Sequence, residues 1–173
     1  MRWMWIDRVV ELERGKRLVA IKNISLSEEH LHDHFAADAA RNLPATPVMP
    51  FSLVIEGMAQ TAGILVGHAN DFAEKVILAK IGNASIDREP LPGHTLRYTA
   101  EIVQLDAAGA ATKGVIDLFD HADPTASWQR VGSIDLMFSH IDANRSGHTF
   151  PEHNFVFGDA FKTLLRTSGV PVA

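Results

Sequence analysis

The sequence predicts an α+β fold in which an antiparallel sheet curls around one long buried helix. Two observations carry this. The segment Phe51 to Gly67 is apolar on nearly every face and opens just after Pro50, a residue suited to the first turn of a helix. After Asn70 the pattern changes to consecutive extended segments, about 76–86, 96–105, 112–119 and 127–141, punctuated by Pro92-Gly93, Ala108-Gly109 and Asp123-Pro124. Strands that follow one another without intervening helices pair antiparallel, which excludes an alternating parallel α/β sheet.

Each element has its own local reason. Leu18 to Ile24 is rich in branched residues and follows the turn signal Arg14-Gly15-Lys16, so it reads as the second strand of an opening hairpin. From Ser27 to Pro50 the chain is polar and irregular, with prolines at 44, 47 and 50. The helix that follows must be surrounded, and small residues at 57, 59, 62, 63 and 67 let a sheet approach its backbone closely, although each glycine costs about 1 kcal/mol of helix propensity relative to alanine. From Asp142 the composition turns polar, and Phe155 to Leu165 offers a short helix. We read residues 1–141 as one domain and 142–173 as a C-terminal extension packed on or beside it.

Composition narrows the function. A chain of 173 residues with 46% hydrophobic content buries one substantial core. The net charge of −5 is scattered, with no basic block to neutralise phosphates and no polybasic stretch beside an apolar anchor, so neither nucleic acid nor a membrane surface is an expected partner. The absence of cysteine excludes a disulfide framework, a thiolate zinc site and a cysteine nucleophile, and agrees with a cytoplasmic location. The start, Met1 to Asp7, has too short an apolar run for a signal peptide, and the Phe51–Val66 segment falls short of the roughly 20 apolar residues of a membrane span.

Few residues offer chemistry. Glu56 stands in the middle of the apolar helix, where a carboxylate is expensive to ionise and suits proton donation; the alternatives are a narrow solvent-facing stripe or a carboxylate capped by a buried hydrogen bond. His30, His32 and His34 alternate and lie on one side if that stretch is extended, an arrangement open to a metal, to a single histidine base, or to ordinary exposed histidines. Ser52 lacks the Gly-x-Ser-x-Gly surround of a nucleophile elbow, and no phosphate-binding glycine loop is present. Arg88-Glu89-Pro90-Leu91-Pro92-Gly93 reads as a turn entering a strand.

Taken in order, these pieces resemble the β-hydroxyacyl-[acyl-carrier-protein] dehydratase family of fatty-acid synthesis, a family of the hot-dog fold. The resemblance covers residues 4 to 141. It rests on the opening segment Ile6 to Asn23, on His34-Phe35 followed by Pro47-Val48-Met49-Pro50, on Glu56-Gly57-Met58-Ala59-Gln60, and on the Arg88–Gly93 turn. It implies a hydro-lyase in which His34 removes the α-proton of a β-hydroxyacyl thioester and Glu56 protonates or orients the departing hydroxyl. It further implies that the Phe51 backbone N–H, with Pro50 and Gln60, binds the substrate. Elimination of water needs only proton transfer between side chains, so neither metal nor organic cofactor is expected. The implied partner is acyl-carrier protein, or an acyl-CoA substrate, with Arg88 and Arg97 as candidate basic positions for an acidic carrier. The implied assembly is a homodimer or a trimer of dimers in which His and acid come from different chains. The readings set beside it are a hot-dog thioesterase or an isomerising dehydratase, and a non-catalytic acyl-thioester-binding subunit. Two features set the chain apart: the stretch Ala36 to Thr46 exceeds the family's link by about eight residues, and Phe51 stands where the family usually has glycine. With the extension from Asp142, they point to a specialised relative with an unusual acyl group or carrier.

Overall fold

The computed structural model describes residues 3–32, 36–141, 151 and 153–171. Its strands are β1 (Arg8–Glu13), β2 (Arg17–Asn23), β3 (Lys75–Ile86), β4 (His94–Asp106), β5 (Gly109–Asp120) and β6 (Gln129–Ile141). They form one six-stranded antiparallel sheet in the order β1-β2-β4-β5-β6-β3. Among the described residues three α-helices accompany it: α1 (Glu29–His32), α2 (Phe51–Ala69) and α3 (Asp159–Thr167).

The α+β expectation holds. The first hairpin turns at Gly15, whose φ of 68° is a left-handed conformation that glycine adopts without steric cost, and Lys16 N closes the turn on Glu13 O at 3.0 Å. Helix α2 touches β2, β3, β4, β5 and β6, so the sheet lies around it. Its inward stripe is Val54, Met58, Ala62 and Leu65, each no more than 1% exposed, and full burial of a side chain the size of leucine or methionine contributes about 1.5–3 kcal/mol. The small residues act as their positions suggested. A Cβ at Gly57 would stand 2.6 Å from Cζ of the fully buried Tyr98, so the β4 ring packs directly on helix backbone.

The long link before α2 differs from a plain irregular loop. Glu29–His32 forms a helical turn, so the extended conformation on which a one-sided histidine row depends is not realised there. The turn is tied down by the buried Lys22, whose Nζ bonds Asp7 and Glu28. Farther on, Asp38 and Leu43 exchange both backbone hydrogen bonds at 3.0 Å around a 3-10 turn, Ala39–Arg41, which the Asp38 carboxylate caps at Arg41 N. The added residues thus close on themselves, and positions 39–46 are exposed.

In the tail, helix formation begins later than the apolar pattern suggested. Residues 155–158 stay non-helical and carry Phe157 onto α2, where a Cβ at Gly67 would stand 2.5 Å from the phenyl Cζ. Asn154 Nδ2 donates to Phe72 O and Glu74 O, both at 2.9 Å, and Val9 N donates to Ser168 Oγ at 3.0 Å. Phe157, Leu164, Leu165 and Val170 join the same hydrophobic core as α2 and the sheet.

Candidate active site

One face of α2 borders a cleft. Glu56, Ala59, Gln60 and Gly63 are spaced three and four residues apart and so lie above one another. They form one wall of a cleft of about 230 Å³. Opposite stand Val76 and Leu78 of β3 and Phe138 of β6, and the remaining wall is Val156, Phe157 and Phe161 of the tail. Glu56 is the only ionisable residue among these lining positions. The sequence left open which face Glu56 occupies; the structure puts it half-buried at this apolar cleft.

The carboxylate is held from one side. Trp3 Nε1 donates to Glu56 Oε1 at 3.1 Å, and Gln60 Nε2 donates to the same oxygen at 3.0 Å. Among the described residues Oε2 has no hydrogen-bond partner. Gln60 is itself locked: its Oε1 accepts from Trp5 N at 2.8 Å and its Nε2 also reaches Trp3 O at 3.1 Å. With both amide hydrogens and its oxygen engaged at 5% exposure, Gln60 orients Glu56 and anchors the N-terminal segment. Trp3 was not among the residues singled out from the sequence. Its partner is 53 positions away, and no local pattern signals so distant a bond.

Pro50 and Phe51 begin α2, where the first N–H groups have no acceptor within the helix. They line a different depression, of about 680 Å³, together with Val48, Met49, Ile86 and Pro90, and Phe51 is 37% exposed. This entrance to the helix is fixed by Met49 N, which donates to Pro90 O at 2.9 Å. The Arg88–Gly93 turn therefore has the structural role its sequence suggested. It is braced by Arg88 on Asp120 at 2.7 Å and by His94, whose Nδ1 accepts from Leu91 N at 3.1 Å. That contact puts the ring proton on Nε2, facing Asp120 Oδ2 at 3.4 Å. Burial lowers the proton affinity of His94 in spite of Asp120. Arg97 is likewise paired: with Arg130 it clamps Asp117, and although burial pushes the other way, the two guanidiniums hold that carboxyl below its usual range.

His34 lies outside the described residues. Glu56 and the Phe51 N–H belong to one helix, yet within one chain their two depressions share no lining residue. Among the described residues no group of three His, Asp or Glu side chains is placed to hold a metal ion.

Comparison with known proteins decides the family. The model of the FabA-like domain matches residues 2–121. The chain belongs to the FabA-like domain family. This FabA-like chain is 34% identical over 142 residues to the 3-hydroxyacyl-acyl-carrier-protein dehydratase FabZ of Symbiobacterium thermophilum, covering 82% of the chain and 89% of that relative. It is 38% identical over 104 residues to the enzyme of the same name from Desulforamulus reducens, covering 60% of the chain and 68% of the relative. Among solved structures, the dehydratase heterocomplex ApeI:P from Xenorhabdus doucetiae superposes with a TM-score of 0.59 at 14% identity, over 81% of this chain and 84% of that one. A thioesterase family protein from Silicibacter pomeroyi gives 0.57 at 10% identity, over 78% and 83%. These two likenesses bear on the fold, and the fold is the hot-dog fold.

Proposed function

We propose that this FabA-like chain dehydrates a β-hydroxyacyl thioester carried on acyl-carrier protein, in fatty-acid synthesis. The observation that carries the reading is Glu56: a carboxyl group lining an apolar cleft, with one oxygen fixed by two N–H donors and the other without a hydrogen-bond partner among the described residues, in a chain whose curated relatives are dehydratases. Such a group suits delivery of a proton to a leaving hydroxyl on an alkyl chain. In this reading His34 takes the proton from C2 of the substrate while the thioester oxygen gathers negative charge. The Phe51 N–H at the positive end of α2, with Pro50 fixing its direction, stabilises that charge. The C2–H electrons form the C2–C3 double bond, the C3–O bond breaks, and Glu56 supplies the proton that releases water. The products are the trans-enoyl thioester, a Glu56 carboxylate and a His34 imidazolium. Return of one proton between them resets the pair. Gln60 acts in this scheme as a positioning residue.

The separation of the Glu56 cleft from the Phe51 groove supports a site completed by a second copy of the chain. Strand β3 supports it too, because it lies at an edge of the sheet, and six consecutive residues, Leu78 to Asn83, are exposed. A strand covered on one face alternates between buried and exposed; a stretch bare on both faces, with Leu78 and Ile81 36% and 44% exposed, suits a partner strand. Our reading is a homodimer joined along β3, with a trimer of dimers as the larger assembly. We place the protein in the cytoplasm; no helix among the described residues is long and apolar enough to cross a membrane.

The test is hydration of crotonyl thioesters, followed by loss of the conjugated absorbance, in the wild type, His34→Ala and Glu56→Gln. Turnover in the wild type and its loss in both variants is expected. Binding of acyl-carrier protein without turnover would make the chain a non-catalytic subunit.

A further inference from the structure

The C-terminal tail enters the function through the cleft at Glu56. Of the lining residues, Phe138, Val156, Phe157 and Phe161 come from beyond residue 121, where the match to the FabA-like domain ends, and the last three belong to the tail that follows β6. They are held in place rather than draped over the surface. Asn154 ties the segment to the backbone of Phe72 and Glu74, Phe157 is 5% exposed against Gly67, and its ring packs edge-on against Phe72 at 4.8 Å and Phe161 at 5.9 Å.

Chemistry fixes what lies next to Glu56. The hydroxyl it would protonate sits on C3, so C4 and the rest of the alkyl chain begin one bond away. The thioester side is polar and belongs with the N–H donor at Phe51. Past Glu56 the cleft offers, among the described residues, only Gln60 as a polar side chain, and Gln60 has its hydrogen-bonding groups engaged internally. The remaining walls are apolar and suit an alkyl chain and little else. Space is left by Ala59 and Gly63; a Cβ at Gly63 would meet only Phe138, at 3.7 Å. Within a single chain the cleft holds about 230 Å³, and the tail supplies one of its walls.

We propose that the tail segment carrying Val156, Phe157 and Phe161 forms the end wall of the acyl-chain pocket and restricts the enzyme to short acyl groups. This rests on the dehydratase reading. It assigns to these three residues a specificity role outside the segment that matches the FabA-like domain.

The experiment compares crotonyl and decenoyl N-acetylcysteamine thioesters in the wild type, Phe161→Ala, Val156→Trp and the exposed tail control Arg166→Ala. Calorimetric binding of the corresponding unreactive alkyl thioethers is measured in parallel. Loss of a large apolar wall group in Phe161→Ala is expected to raise the decenoyl-to-crotonyl ratio of kcat/KM roughly tenfold. Val156→Trp lowers the ratio, Arg166→Ala leaves it in place, and thioether affinities follow the same order. An unchanged ratio and unchanged thioether affinities in both wall variants would overturn the proposal. A wild type that turns over neither thioester would remove the dehydratase reading, and the thioether series then decides the pocket alone: chain-length preference that moves with Phe161 and Val156 sustains the wall, and one that does not abolishes it.

Discussion

Gln60 stands one helical turn after Glu56, and its amide nitrogen donates to Glu56 Oε1 at 3.0 Å while its own oxygen takes the Trp5 backbone N–H at 2.8 Å. One side chain thus joins the N-terminal segment to the carboxylate that faces the cleft. Gln60→Ala strands a buried N–H and frees Glu56 to rotate. The expected stability loss is about 1–3 kcal/mol in urea unfolding. The expected fall in kcat is on the order of tenfold to a hundredfold, with KM little changed, because the loss is one of orientation. Trp3→Phe removes only the other donor, from a residue 58% exposed, and is expected to lower kcat less, without the loss of stability. Equal effects on kcat and KM in Gln60→Ala would speak for a substrate-binding role instead.

Contact between Gly57 and Tyr98 predicts a steric result. The Cβ of Gly57→Ala arrives 2.6 Å from a ring that is completely buried and has nowhere to move. Overpacking of this kind costs about 1–3 kcal/mol, more than the gain in helix propensity of about 1 kcal/mol. Thermal unfolding is expected to show a lower Tm, and Tyr98→Leu in the same chain is expected to recover part of it.

Acid sensitivity follows from His94. Burial depresses its folded-state pKa below the unfolded value of 6.5, and the same holds for His68, so in that range the unfolded chain binds more protons than the folded one. The stability they contribute is fully present above pH 6.5 and falls as the pH drops from there toward the folded values. Asp117, held down by Arg130 and Arg97, and Asp120 act lower: their contribution is present above the unfolded value of 3.8 and is lost below it. Urea midpoints measured from pH 8 down to 5 should decline in the wild type and decline less in His94→Asn, which keeps an acceptor for Leu91 N. A flat profile in the wild type would contradict this.

Much of the fold was legible because its signals are local. The apolar run from Phe51 is long enough to separate a helix from a strand, and the turns at Pro92-Gly93 and Ala108-Gly109 divide the strands within a few residues of where β4 and β5 begin. The turn at Glu29–His32 was not legible: a four-residue helix has no periodicity to read, and it depends on Lys22, Asp7 and Glu28 meeting across the fold. The environment of Glu56 was half legible. Its place in an apolar helix was evident, but the face it occupies depends on the strands behind it, and its partners depend on where the first residues return. The residues of the tail that reach the cleft carry no spacing that marks them as a wall.

The bare edge of β3 predicts the assembly. Ile81→Lys places a charge among the exposed residues of that strand, and is expected to convert dimers or larger species to monomers in sedimentation equilibrium. Mixing His34→Ala and Glu56→Gln chains by co-expression is expected to restore partial turnover, since a mixed dimer would contain one site with both groups intact. Absence of any recovery from a properly mixed dimer would place His34 and Glu56 of each site on a single chain.

The most direct measurement is intact-mass analysis of β-hydroxybutyryl-acyl-carrier protein incubated with the wild type, Glu56→Gln and His34→Ala. The wild type should bring the acyl carrier to its equilibrium mixture with the dehydrated species, and each variant should do so at least about a hundredfold more slowly. A wild type that leaves the carrier unchanged, or a Glu56→Gln variant as fast as the wild type, would contradict the assignment of Glu56 as the proton donor of a dehydratase.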